Sequence, residues 1–454
     1  MTDTTIAQIA DFANTLQFSD IPVHVSHDCK RRLIDTFACG LAAHYQPPCG
    51  IARGVALRVK MPNGSYILGT AHKTLPELAA FANGVMVRYL DGNDAYPGGG
   101  GHPSDMIPAV LAAANINKSP GKDVITAVTL AYEVFYNFRQ AACMRDHGMD
   151  HVFYTAVGSA IGAAKLMSLS REQLANAISL AVTPNIALHA TRRGHLSMWK
   201  GCAGGNAARN GTFAAVLAAQ GMTGPDQAIE GSHGLRELVG SFEFPTLPGP
   251  GRPFKLPQAQ MKYFLSESHS HAPITAALEL YRRVTADDIK DITIYTYWFA
   301  WSEIGSEREK WRPTTRETAD HSLPYIVAAV LLDGRFGDEI FSEERLQDEK
   351  IHQLADKIMV KEDPELSRQF PEKYPCRIEI TTRSGNTLTA SVEYPRGHHK
   401  NPMTDEEVSD KFRSLAGRVL PKKQIEQALT SLWKIEEASD LELLFEMVNI
   451  DRNT

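Results

Sequence analysis

Residues 91–105, DGNDAYPGGGGHPSD, set Asp91, Asn93 and Asp94 against His102 across four consecutive glycines. Carboxylates and an imidazole within reach of one another are general acid–base equipment. Glycines let a ligand lie directly against the backbone. The pattern predicts a helix ending near Asp91, with Gly92 and Asn93 as stop residues. The next helix is predicted to start at Pro103, with Ser104 and Asp105 in its first turn. His102 then sits at a helix amino terminus, where backbone N–H groups favour an anion and an imidazole stays neutral, able to accept a proton. The same residues also read as a flexible surface loop with a capping histidine.

Two lysines favour the site over the loop. Lys200, in HLSMWKGCAGGNAARNG, lies between Trp199 and a helix start built of small residues, and Lys262, in QMKYFLSESHSHAP, precedes an aromatic pair and two histidines. A lysine in an apolar setting seeks a counter-charge, which a substrate carboxylate can supply. Taken singly, each also reads as a snorkelling surface lysine. His151 in MDHVFYTAVG and His321 in TADHSLPY are two further imidazoles just before predicted helices.

These groups need a scaffold to bring them together. The chain has 454 residues, 43% apolar and 22% charged, long enough for two or three domains. From the start to about residue 260 the pattern is helical. Leu33, Phe37 and Leu41 fall at four-residue steps, and the runs AVGSAIGAAKLM and NAARNGTFAAVLAAQG predict closely approaching helices. DDIKDITIYTYW alternates as a strand, CRIEITTRSGNTLTASVEYP reads as a hairpin turning at Ser384-Gly385-Asn386, and HSLPYIVAAVLLDG between them reads as a helix. Thr404 and Glu407 have capping-box spacing at the start of a final helical stretch. The expected fold is mainly α: a large helical domain from 1–264 and 398–454, and a smaller α+β lid domain, 265–397, with antiparallel strands.

The formal charge of -6 gives no reason to expect nucleic acid or an anionic membrane as partner, so positive charge for an anionic substrate must be local. No stretch has the apolar length of a membrane span or a signal peptide, and a cytoplasmic location is expected. Cysteines 29, 39, 49, 143, 202 and 376 form no C-x-x-C pair and fit no zinc or iron–sulfur spacing. They are expected to be reduced and mostly buried, and no metal or cofactor is expected.

The strings RYLDGNDAYPGGGGHPSD, MWKGCAGGNAARNG, KYFLSESHSH and TADHSLPYIVAAVLLDG, in this order across nearly the whole chain, resemble the MmgE/PrpD family. That family covers 2-methylcitrate dehydratases, cis-aconitate decarboxylases and iminodisuccinate epimerases. The resemblance implies a homodimer with a cleft between a helical and a lid domain. It also implies a cofactor-independent lyase acting on a small di- or tricarboxylate, hydro-lyase first, carboxy-lyase or epimerase as alternatives. A non-catalytic dimer that binds a tricarboxylate is the reading from another class. The family's catalytic positions fall on Asp91, His102, Lys200 and Lys262, with His151 beside them. Glu267 and His269 compete for one substrate-binding position, and Asn93, Ser104 and His321 join them as substrate-binding candidates. In the implied chemistry the lysines hold a carboxylate while His102 moves a proton. Asp91 either orients His102 or, if protonated, donates to the leaving hydroxyl, and His151 carries the other proton or binds a carboxylate. Where family members have threonine after the second loop aspartate, this chain has Ala95.

Overall fold

A computed structural model describes residues 3–98, 100–249 and 251–450; Gly99, one of the four loop glycines, and Pro250 lie outside them. Helices dominate, and the predicted periodicity explains why. Helix Val23–Ala42 buries Leu33, Phe37 and Leu41, on the one apolar stripe that steps of four residues create. Helices Pro76–Tyr89, Ile107–Asn117, Gly121–Ala141, Val152–Leu166 and Trp199–Ala219 pack against one another. Their small residues let the backbones nearly touch. A methyl group on Gly84 would stand 2.6 Å from the Cα of Gly205, and one on Gly211 would stand 2.4 Å from the Ala156 carbonyl oxygen. Substituting alanine there would push helices apart, at a cost of about 1–3 kcal/mol.

The buried apolar residues form two large clusters. One draws on residues 6–265 and 403–448, the other on residues 272–390. The carboxy-terminal helix Asp405–Ala416 packs against Val23–Ala42 and adds Val408, Phe412 and Leu415 to the first cluster. Its predicted capping box at Thr404 and Glu407 is present. The second cluster lies under a sheet. Apart from the two-residue strands β1 (Ser65–Tyr66) and β2 (Lys73–Thr74), the strands are β3 (Ile289–Thr296), β4 (Ile358–Glu362), β5 (Cys376–Thr382) and β6 (Thr387–Val392), in the order β4-β3-β5-β6. β5 and β6 form the expected hairpin, with Arg377 opposite Ser391.

One expectation needs correcting: β4 runs parallel to β3, with Ile292 opposite Ile358. The crossover between them is long enough to contain helices Leu323–Asp333 and Glu349–Ala355, and a helical crossover is what a parallel neighbour requires. Helices His271–Tyr281 and Leu323–Asp333 pack together and against strands of the sheet. Among the described residues no helix is long and apolar enough to cross a membrane. All six cysteines are free thiols, five of them buried.

Candidate active site

Hydrogen bonds brace the described residues of the 91–105 loop. Helix Pro76–Tyr89 is capped by Leu90, and Asp91, at φ 53°, takes the left-handed conformation expected of Gly92 or Asn93. Asparagine and aspartate tolerate that region better than most side chains. After the glycines a short 3-10 turn, Pro103–Met106, precedes helix Ile107–Asn117. Asp94 ties the loop closed: one carboxylate oxygen accepts the Ser104 N–H (2.9 Å), the other the Tyr132 hydroxyl (2.8 Å). The Asn93 amide donates to Ser104 Oγ (3.0 Å) and Asp105 Oδ1 (2.8 Å). Asn93 and Ser104 therefore brace the loop; neither lines the cavity described below.

Asp91, Lys200 and Lys262 meet in a dry ionic cluster. Lys200 and Lys262 are each 2% exposed. The Lys200 ammonium lies 3.0 Å from Asp91 Oδ2 and 3.0 Å from both carboxylate oxygens of Asp320. Lys262 donates to Asp91 Oδ1 and to its carbonyl oxygen (2.9 Å). Arg88 Nη1 approaches the same carboxylate at 2.8 Å. Burial works to raise the Asp91 pKa, but Arg88, Lys200 and Lys262 outweigh it and hold the carboxyl well below the usual range. Asp91 is therefore held as the carboxylate in this cluster. Burial would raise Asp320 too, yet Lys200 and His321 bring it down to about 2. Asp91, Asp320 and His321 place ligand atoms within 4.8 Å of one another, a donor set suited to a cation. The Lys200 ammonium already serves both carboxylates.

Beside this cluster a cavity of about 500 Å³ opens, lined by segments from both sides of the molecule. His102, His151, Glu267, His269 and His321 all line it, whereas Lys200 and Lys262 do not. The sequence reading gave the substrate carboxylate to the lysines. The structure commits their ammoniums to aspartates, and the cations on the cavity wall are Arg88, Arg139, Arg145, Arg192 and Arg193. Arg145 is paired with Glu303 and lies over the Phe299 ring at 4.4 Å. Arg88 is buried; its Nη1 is paired with Asp91, and its Nε–H donates no hydrogen bond. Unmet buried donors of this kind are costly unless a ligand satisfies them. Trp298, Phe299, Tyr96 and Tyr374 give the cavity an aromatic side.

Four imidazoles on the wall, His102, His151, His269 and His321, have Nδ1 engaged. His102 Nδ1 lies 2.7 Å from the Asp94 carbonyl oxygen. A carbonyl can only accept, so Nδ1 carries the proton and Nε2 keeps a lone pair. Asp94, not Asp91, orients this ring. Burial, reinforced by Arg88 and Lys262, lowers the His102 pKa well below its ordinary value, so the ring is neutral at neutral pH. His151 faces it edge-on with ring centres 5.5 Å apart. Its Nδ1 lies 2.9 Å from Asp150 Oδ1, and Nε2 lies 3.4 Å from Arg192 Nη2. Burial lowers the His151 pKa as well, against the pull of Asp150. His321 Nδ1 lies 2.5 Å from Asp320 Oδ1.

Glu267 and His269 differ in kind. His269 Nδ1 is bound to the Tyr297 hydroxyl, and burial lowers its pKa to about 3. Glu267 accepts the His269 N–H at 2.6 Å, and burial raises its carboxyl to about 7 despite His321 and Lys262. The residues that sequence reasoning missed are Arg88, Arg192, Asp150, Asp320 and Lys411. Lys411, on the carboxy-terminal helix, pairs with Asp35 (2.6 Å) and donates to the carbonyls of Gly92 and Lys262 (2.7 Å each). The end of the chain thus fixes the backbone on which the ionic cluster is built.

The MmgE/PrpD N-terminal domain matches residues 7–244 and the MmgE/PrpD C-terminal domain matches residues 264–435. The chain belongs to the MmgE/PrpD family. It is 30% identical to 2-methylcitrate dehydratase of Escherichia coli K12, over 94% of this chain and 93% of the relative. It is 28% identical to 2-methylcitrate dehydratase of Cupriavidus necator, with the same coverage of each chain. Against the mitochondrial 2-methylcitrate dehydratase of Yarrowia lipolytica the identity is 29%, over 95% of this chain and 87% of the relative.

Proposed function

We propose that the protein is a hydro-lyase that dehydrates a tricarboxylate, 2-methylcitrate or a near analogue, to the corresponding alkene. The observation that carries this reading is one shared cavity in which a neutral imidazole of fixed tautomer faces several guanidiniums. The relatives' names point to the same reaction.

The chemistry sets the requirements. Removing a proton from carbon beside a carboxylate pushes charge onto a group that is already anionic. Preorganised cations at that group supply the largest stabilisation. Arg88, which keeps an unmet Nε–H beside its pair with Asp91, and Arg192, held by Asp150 at 3.1 Å, present guanidiniums to the cavity that are suited to bind carboxylates. His102 Nε2 takes the proton. His151, bridging Asp150 and Arg192, keeps that wall in register. Lys200 and Lys262 hold Asp91 and Asp320, and through them the loop and His321. Ala95 and the aromatic side receive the less polar part of the substrate.

The test is incubation of the purified protein with 2-methylcitrate, citrate and cis-aconitate, with products followed by mass spectrometry. Loss of water from a hydroxylated tricarboxylate supports the reading. Loss of carbon dioxide from cis-aconitate alone would replace it with decarboxylation.

We also propose that the protein works as a homodimer. Ile51 and Val55 on helix Pro47–Ala56, and Trp199 and Phe213 on Trp199–Ala219, are exposed on two helices that both pack on Pro76–Tyr89. Exposed apolar side chains on these two helices suit contact with a second copy of the chain. Sedimentation velocity at micromolar concentration checks this, with a dimer expected.

A further inference from the structure

Elimination of water needs two proton movements, and the reading above supplies a group for the first only. We infer that Glu267 is the acid that protonates the departing hydroxyl. This rests on the hydro-lyase reading and adds to it.

The argument is one of elimination among the carboxyls around the cavity. Asp91, Asp150 and Asp320 are each held ionised by their neighbours: Arg88, Lys200 and Lys262 around the first, Arg192 with the His151 ring around the second, and Lys200 with the His321 ring around the third. An ionised carboxylate has no proton to give. Asp105 is buried and titrates high, but it does not line the cavity and is tied to the Asn93 amide. Glu303 and Asp146 line the cavity as well; Glu303 is paired with Arg145, and Asp146 is exposed to solvent, whereas Glu267 is largely buried. Glu267 lines the cavity and has no lysine or arginine ion pair among the described residues. Its contacts within reach are the His269 N–H at 2.6 Å and His269 Nε2 at 3.7 Å. Lys262, His321 and Asp91 lie around it, and their opposed charges leave burial to decide, so the carboxyl titrates near 7. A carboxyl poised there is protonated in much of the population at neutral pH, as a general acid must be.

The step then balances. His102 Nε2 removes the proton from carbon, and the C–H electron pair becomes the new C=C bond. The C–O bond breaks, and its electron pair takes the Glu267 proton, so the hydroxyl leaves as water. The enzyme is left with an imidazolium and a carboxylate, which exchange with solvent after product departs.

The experiment compares 2-methylcitrate with an analogue whose hydroxyl is replaced by chloride, a leaving group that needs no proton. Glu267→Gln should lower kcat for the hydroxy acid by about 10²–10³-fold, with KM changed less than about threefold. On the chloride analogue its kcat should stay within about tenfold of wild type, whereas His102→Asn should lose both substrates. In the unmutated enzyme, kcat for the hydroxy acid should fall as pH rises through about 7, and kcat for the chloride analogue should not. Equal loss of both substrates in Glu267→Gln, full retention of the hydroxy-acid kcat, or the same high-pH limb with both substrates overturns the assignment. If the wild-type enzyme makes no alkene from either compound, the hydro-lyase reading itself falls and takes the assignment with it.

Discussion

Two neighbouring regions of this molecule use the same residue types to opposite ends. In the ionic cluster every charge is answered: Lys200 by Asp91 and Asp320, Lys262 by Asp91. It is dry, and its carboxyls are driven low. On the cavity wall the balance is left open. His102 has one nitrogen engaged and one available, Arg88 keeps an unmet Nε–H beside its pair with Asp91, and Glu267 has no lysine or arginine partner among the described residues. Saturated charges make a frame, and unsaturated ones can exchange protons or hold an anion. Breaking a buried pair by removing one partner leaves a bare charge in low dielectric, so the two regions should fail differently when mutated.

The sharpest break is expected at His102. His102→Asn should cut kcat about 10³-fold or more while thermal stability stays near wild type, as stopped assays and calorimetry on one preparation would check. Next comes Asp91→Asn, which takes the carboxylate from Lys262 and Arg88 and leaves Lys200 with Asp320 alone. It should cost about 3–5 kcal/mol of stability, visible as a large drop in melting temperature or as aggregation on expression. If Asp91→Asn keeps its stability and loses only kcat, the cluster is reacting machinery and the contrast drawn here is wrong. Arg192→Lys keeps the charge but loses the planar fork, so KM should rise about 10-fold with little change in kcat.

The smallest effect concerns Glu133, a buried carboxyl far from the reaction that titrates near 7 because of burial, although it accepts the Lys255 and Leu256 N–H groups. Its folded pKa is raised. Its stabilising contribution is therefore full below its unfolded pKa, near 4.5, and is lost as pH rises through about 7. Glu133→Gln should be nearly neutral at pH 5 and stabilising by on the order of 1 kcal/mol at pH 8. Denaturant unfolding at the two pH values would show it.

What was legible in the sequence follows from which forces are local. The helix starts at His151 and Lys200, the hairpin at Gly385 and the capping box at Thr404 depend on residues a few positions apart. The loop at 91–105 was recognisable because its residue types are out of keeping with the helices around it. Lysine roles were not legible: Lys200 finds Asp320 at a separation of 120 residues, and only the folded chain puts an aspartate beside each ammonium. The arginines escaped notice for the same reason. Arg88, inside a helix, reads as surface charge until its helix turns it toward the cavity. β4 was missed because five residues of alternating burial, Ile358–Glu362, are too few to stand out beside the helix before them.

The most direct test of the account is a single-turnover assay with 2-methylcitrate in deuterated water, run with the wild-type protein and with His102→Asn. The account predicts alkene and released water from the wild type, and neither alkene nor deuterium in recovered substrate from the variant. Undiminished alkene formation by His102→Asn would contradict it.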